Sequence, residues 1–172
     1  MDAIGFGQHN HAECIRQGLD SVDAQCKAAG LQFTPVRRRV LEMLLAEHRA
    51  HGAYEILDSL RAEGLGSQPP VSYRALEFLV KNGFAHKIER LNAFIACAHL
   101  AENHAPVFLI SRACDSVAET YTDLTRSVLG RAAQTAGFLI ERTGVEIEGN
   151  CTCLLYTSPC PRDATLSRMP SP

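Results

Sequence analysis

Pro69-Pro-Val-Ser-Tyr-Arg-Ala-Leu-Glu-Phe-Leu-Val-Lys81, followed by Asn82-Gly-Phe-Ala-His-Lys-Ile-Glu-Arg90, Leu91-Asn92 and Ala93-Phe-Ile-Ala-Cys97, is the stretch that decides the fold. Pro69 and Pro70 end whatever precedes them, because proline fixes φ and has no amide proton to give. From Val71 to Val80 a helical period places Val71, Ala75, Phe78 and Leu79 on one face, while Tyr73, Arg74, Glu77 and Lys81 point elsewhere. Asn82-Gly83 stops that helix. Phe84 to Arg90 and Ala93 to Cys97, joined by Leu91-Asn92, then read as a two-stranded hairpin. A helix suited to reading DNA that runs into a hairpin is the sequence form of a winged helix-turn-helix.

Upstream, Ile15, Leu19, Val22 and Cys26 give a single apolar stripe, hence a first helix from Cys14 to Ala29 that Gly30 ends. Thr34-Pro35 is a helix start, an N-cap hydroxyl followed by proline at the first helical position, with Val40, Leu41, Leu44 and Leu45 as the buried face. Ala53 to Ala62 is a third helix carrying Ile56, Leu57 and Leu60, and Gly64 to Ser67 is the loop into Pro69. Residues 14–97 thus form one winged-helix unit. A linker from His99 to Pro106 leads into a second unit, residues 104–152. There Val107 to Ile110 is a buried strand, and Asp123 to Thr135 a helix with Leu124, Val128, Leu129 and Ala132 inward. Gly137 stops the helix, and Phe138 to Ile140 and Val145 to Glu148 supply further strand. The fold class is α+β, a winged helix-turn-helix domain followed by a small α/β domain. A unit of roughly 50 residues with so much apolar strand is marginal alone and needs cover, which pairing with a second copy of the chain would provide.

The 172-residue chain has a formal charge of -2, so any nucleic-acid contact must come from local clusters rather than from bulk charge. Arg37-Arg38-Arg39 is the strongest cluster, with Lys27, Arg74, Lys81 and Lys87 beside it, although three arginines in a row also suit a solvated helix face. The sequence has no apolar run long enough for a membrane span and no signal-peptide pattern at its start, which favours the cytoplasm. In that compartment cysteines serve more often as metal ligands or free thiols than as disulfides. Cys153 to Asp163 and Ser167 to Ser171 resemble a translated sequencing adapter, so residues 153–172 are set apart as a non-native tail. A Pro/Ser-rich disordered tail has the same composition.

His86, Cys97, His104 and Glu119 are the residue types that bind zinc, and mixed N, S and O sets suit reversible binding. His86 belongs to the hairpin, Cys97 to the junction, and His104 and Glu119 to the second unit, so one shared ion would tie the two units together. Each has a plain alternative: a solvated edge histidine, a small core thiol, an exposed glutamate. His9, His11 and Cys14 form a looser cluster near the start of the chain.

Taken together, Phe33-Thr-Pro-Val-Arg-Arg-Arg-Val-Leu41, Gln68 to Leu79, Gly83 to Glu89 and Leu91 to Cys97 resemble the ferric uptake regulator family, most closely its zinc uptake regulator branch. The resemblance runs from about Cys14 to Thr152. It implies a homodimeric, zinc-dependent (Zn2+) repressor of double-stranded operator DNA, with a winged-helix domain and an α/β dimerisation domain. Carried over position by position, His86, Cys97, His104 and Glu119 fall on the branch's regulatory zinc site. Tyr54 and Arg74 fall on DNA-contacting positions. Arg74 suits bidentate contact with guanine and Tyr73 a phosphate, with Arg37 and Arg38 as further contacts. The family's structural zinc is held by two Cys-x-x-Cys pairs. Here the first pair reads Ser111-Arg-Ala-Cys114, and the second begins at Cys151 and meets Leu154, so Cys114 and Cys151 remain as a remnant.

Three rival readings stand beside a zinc-responsive repressor. An iron or peroxide sensor would use the same scaffold, but the thiolate of Cys97 favours zinc. A zinc hydrolase needs an open coordination position and commonly a His-Glu-x-x-His segment, which this sequence lacks. A DNA-binding module with purely structural cysteines and histidines is the third.

Overall fold

The computed structural model describes residues 11–47, 49–66, 68–100, 105–113, 116–122, 128–140 and 143–150. Its first part consists of α1 (His11–Ala28), α2 (Pro35–Ala46), β1 (His51–Gly52), α3 (Ala53–Ala62), α4 (Pro69–Lys81), β2 (Ala85–Ile88) and β3 (Ala93–Ala96). Thr34 caps α2 as its sequence predicts, its hydroxyl oxygen accepting the Arg37 amide at 3.4 Å. Leu19, Val22 and Cys26 of α1, Leu41 and Leu44 of α2, Ile56 and Leu60 of α3, and Leu76 and Leu79 of α4 close one core.

On α4 the buried face is Ser72, Ala75, Leu76 and Leu79, one residue round from the expected Val71, Ala75, Phe78 and Leu79. Two local contacts account for the rotation. Ser72 satisfies its hydroxyl by donating to the Pro69 carbonyl at 3.1 Å, so it enters the core without an orphaned polar group. Phe78 stays half-buried because the Arg37 guanidinium lies 3.7 Å over its ring. Gly66 is required where the preceding loop crosses the helix, since a Cβ there would meet the Val71 side chain at 2.7 Å. At the other end Gly83 takes φ 75°, and the Phe84 amide then bonds to the Leu79 carbonyl at 2.8 Å, which turns the chain into β2.

The hairpin is antiparallel with His86 opposite Ile95, and β1 adds a short third strand against β3 that the sequence reading did not foresee. The second part is a sheet of order β5-β4-β6, with β4 (Ala105–Ser111) antiparallel to β5 (Val117–Thr122) and parallel to β6 (Val145–Gly149). β5 is also unforeseen. Val117, Ala118 and Glu119 are all buried, so the strand lacks the apolar/polar alternation that marks a half-exposed one. The two sheets share a small core, Ile88 and Ile95 of the hairpin against Phe108, Ile110 and Val117.

Two further expectations are corrected. Residues 138–140 are not strand, because Gly137 at φ 66° ends α5 (Val128–Thr135) and the chain leaves as an irregular segment. The apolar face of α5 is not turned inward: Val128 is 73 % and Leu129 54 % exposed, and Phe138, Leu139 and Ile147 are exposed with them. Ala132 is exposed as well, and Leu124 lies outside the described residues.

Leu44, 1 % exposed at the centre of the helical core, sets a stability benchmark. Leu44→Ala is expected to cost about 2–5 kcal/mol, read as a lower midpoint in urea unfolding with an unchanged slope.

Candidate metal centre and nucleic-acid interface

Three of the four sequence-predicted ligands converge. His86 stands on β2 with its ring 5.5 Å from that of Phe108. Cys97 follows β3, where its amide bonds back to the Phe84 carbonyl at 3.0 Å. Glu119 is on β5, opposite Phe108 in register, and only 2 % exposed. The His86 Nε2 atom lies 3.3 Å from Glu119 Oε1, and the Cys97 sulfur 4.0 Å from the same oxygen. The ligand atoms of all three fall within 4.8 Å of one another. Glu119 Oε2 accepts the Ala98 amide at 2.8 Å, which fixes the carboxylate's orientation. His104, the fourth expected ligand, lies outside the described residues.

Burial, and then the nearby Glu119 charge, push the Cys97 thiol up to about 12. The donor set of imidazole, thiol and carboxylate therefore fits a thiophilic divalent ion, whose charge removes the conflict that holds the proton on sulfur. A cavity of about 270 Å³, lined by Gln17 and Ser21 of α1, Leu44 of α2, Cys97 and Glu119, reaches the pocket from the helical side. Sequence reasoning missed His99, whose Nδ1 is 3.8 Å from Glu119 Oε1. Its spacing of two from Cys97 was the available signal.

The expected DNA-facing residues form a separate surface. Tyr54 is 66 % and Tyr73 46 % exposed, and their rings meet edge to face at 6.5 Å. Arg74, next along α4, is exposed, as is Arg38. Arg37 is held over Phe78 and donates to the Gln32 carbonyl. Arg39 is committed within the fold, paired with Glu63 at 2.6 Å and Glu42 at 2.9 Å.

The zinc uptake regulation protein of Escherichia coli is 31 % identical over 144 residues, 83 % of this chain and 84 % of that protein. The chain belongs to the ferric uptake regulator family, in its zinc uptake regulator branch. The Shigella flexneri zinc uptake regulation protein matches to the same extent. Among solved structures, a zinc uptake regulator complexed with zinc and DNA superposes with a TM-score of 0.77 at 28 % identity, over 82 % of this chain and 95 % of that one. The holo form of XcZur gives 0.70 at 34 % identity, over 81 % and 99 %. No family model matches the chain.

At the position where the resemblance implies the first cysteine of a structural zinc site, the chain carries Ser111. Ser111 is 3 % exposed and its hydroxyl oxygen accepts the Ala113 amide at 3.4 Å, a turn-stabilising role that leaves no thiolate at the position. Cys114 and Cys151 lie outside the described residues, as do His9, the tail 153–172 and the side chains of His11 and Cys14.

In this family member the hairpin is also fastened to the second sheet away from the metal pocket. The Glu146 carboxylate of β6 accepts the backbone amides of Glu89 at 2.7 Å and Arg90 at 3.1 Å, at the start of the hairpin turn. Arg90 pairs with Glu148, and Arg49 bridges to Ser116. Glu146→Ala is expected to speed amide hydrogen exchange at Glu89 and Arg90 at least tenfold while the helical core is unchanged, as measured by site-resolved exchange.

Proposed function

We propose that the chain is a zinc-responsive transcriptional repressor that binds operator DNA as a zinc-loaded homodimer and controls zinc-uptake genes in the cytoplasm. It is a regulator rather than an enzyme. The observation that carries the reading is the buried convergence of His86 from the hairpin, Cys97 from the junction and Glu119 from the second sheet. Residues 14–97 serve as the DNA-binding domain and 104–152 as the dimerisation domain. The family resemblance adds His104 as fourth ligand. The names of the relatives, zinc uptake regulators with one complexed to zinc and DNA, support the same reading.

Zinc bound in this pocket would supply two positive charges against one thiolate and one carboxylate. The chain's residues do the rest. His86 and Cys97 flank the hairpin, and Glu119 is held by the Ala98 amide, so drawing the three together fixes the hairpin's angle to the β4–β5 sheet. Fixing that angle links pocket occupancy to DNA affinity, with a coupling typically of about 1–3 kcal/mol. Exposed Val128, Leu129, Phe138 and Leu139 give the second copy an apolar surface to cover, which no contact within the described residues does. Thiol chemistry at Cys97 favours zinc over iron as the signal.

DNA-binding anisotropy with zinc, iron, manganese and chelator in parallel tests the reading. Zinc alone should restore tight binding after chelation, and equal binding in chelator would overturn it. Because the Cys97 thiol holds its proton well above neutral pH, zinc capture must expel that proton. Apparent zinc affinity is therefore expected to rise about tenfold per unit over roughly pH 7 to 8.5, and Cys97→Ser to lower the affinity and flatten the slope, read by chelator competition. At the DNA surface, Arg74→Ala should cost about 1–3 kcal/mol on the operator and relax base preference. Arg38→Ala should instead weaken cognate and scrambled duplexes alike and reduce the salt slope by about one.

A further inference from the structure

Resting on the zinc reading above, we propose that Arg49 is the positioning residue that carries the state of the Glu119 pocket to Tyr54 on the DNA-facing side of α3. Residues 49–52 cross the junction between the two sheets. The Arg49 backbone forms an antiparallel bridge to Ser116, one residue before β5 and three before Glu119. Ala50 packs on the small core that the sheets share. His51 and Gly52 pair with Phe94 and Ala93 of β3. The segment is thus tied by its backbone to the second sheet and to the hairpin at once.

The Arg49 side chain ties the same segment to α3. Its guanidinium grips Glu55 through two bonds, Nη1 to Oε2 at 3.0 Å and Nη2 to Oε1, and its Nε donates to Glu47 just past α2. Bidentate pairing of this kind fixes orientation as well as distance. Glu55 is the third residue of α3, and it also accepts the backbone amide of Gly52, the N-cap, in the manner of a capping box. His51 Nδ1 lies 3.4 Å from the same Oε1. The Arg49 bonds, more than any other cause, hold the Glu55 carboxyl below the usual carboxylate range. Ion pairs this exposed add little to stability, so what the bidentate grip supplies is geometry. Tyr54 precedes Glu55 in the same helical turn, and its ring meets that of Tyr73, the neighbour of Arg74. A displacement of residues 49–52 with β5 therefore moves the first turn of α3, and the tyrosine on it.

The experiment uses the full chain and a duplex selected from a randomised pool by the zinc-loaded parent, with anisotropy read in zinc and in chelator at several salt concentrations. The parent is expected to bind at least about fivefold more tightly in zinc. Arg49→Ala is expected to bring the two affinities within about twofold of each other, while zinc affinity without DNA, read by chelator competition, stays within about twofold of the parent. Glu55→Gln should do the same, and the double variant should lose no more than either single one. In chain labelled with 3-fluorotyrosine, zinc should shift the Tyr54 resonance of the parent, assigned through Tyr54→Phe, and leave it in place in Arg49→Ala. Equal weakening by Arg49→Ala in zinc and in chelator, with a flatter salt dependence, identifies a phosphate contact and overturns the proposal. So does a zinc-dependent gain in affinity that survives in both Arg49→Ala and Glu55→Gln. A parent that binds equally in zinc and in chelator sinks the zinc reading itself, and the proposal with it. Thermal unfolding of each variant in chelator checks that the comparison is between folded proteins.

Discussion

A carboxylate buried to 2 % exposure beside a cysteine thiol is the constraint from which the rest of this structure follows. A charged group in such a place is tolerated only when paired, and here the Ala98 amide and the His86 ring meet Glu119. Burial, and then the Glu119 charge, raise the Cys97 thiol so that it keeps its proton. The pocket lies where the two sheets meet, and on the proposed reading a divalent cation there would relieve the conflict between carboxylate and thiol.

The same junction has contacts that do not depend on the pocket. Ile88 and Ile95 pack against Phe108, Ile110 and Val117, and Glu146 holds the turn of the hairpin by its amides. These contacts hold the hairpin against the second sheet apart from the pocket residues. The pocket then has only to select an angle rather than assemble two separated bodies, which suits a coupling of a few kcal/mol better than an all-or-none transition. In the second sheet, the Ser111 hydroxyl accepts the Ala113 amide, while the Arg112 amide reaches the Gly149 carbonyl at 2.9 Å. β4 and β6 run in parallel register at that end, Ser111 opposite Gly149.

How much of this was legible in the sequence depended on how many neighbours each residue's role required. α2, α3, α4 and the hairpin were readable because apolar period, Thr34-Pro35 and Gly83 are local signals, and the structure reproduces them to within a residue or two. The one-residue rotation of α4 was not readable, because it depends on Arg37 from another helix lying over Phe78. β5 was hidden by burial on both faces. For α5 the period found an apolar face but was silent on what covers it. The metal pocket is the sharpest case: His86, Cys97 and Glu119 are each unremarkable singly, and only the pairing of Phe108 with Glu119 and of His86 with Ile95 brings them together.

The charge distribution explains why pairing of copies and DNA binding belong together. Several cations in the described residues are already matched: Arg16 to Glu13, Lys27 to Asp23, Arg39 to Glu42 and Glu63, Arg49 to Glu47 and Glu55, Arg61 to Asp58, Lys87 to Glu89, Arg90 to Glu148. Among the described residues no ion pair engages Arg38 or Arg74, which leaves both to the phosphate backbone. Affinity for a duplex grows with the number of phosphates neutralised. Two linked copies add their contacts, but only if both recognition helices meet the groove at the spacing of one helical turn. On the proposed reading, that spacing would be set by the second unit through its pairing surface and by the angle at the Glu119 pocket, so a small rotation there would separate two adequate half-grips from one inadequate one.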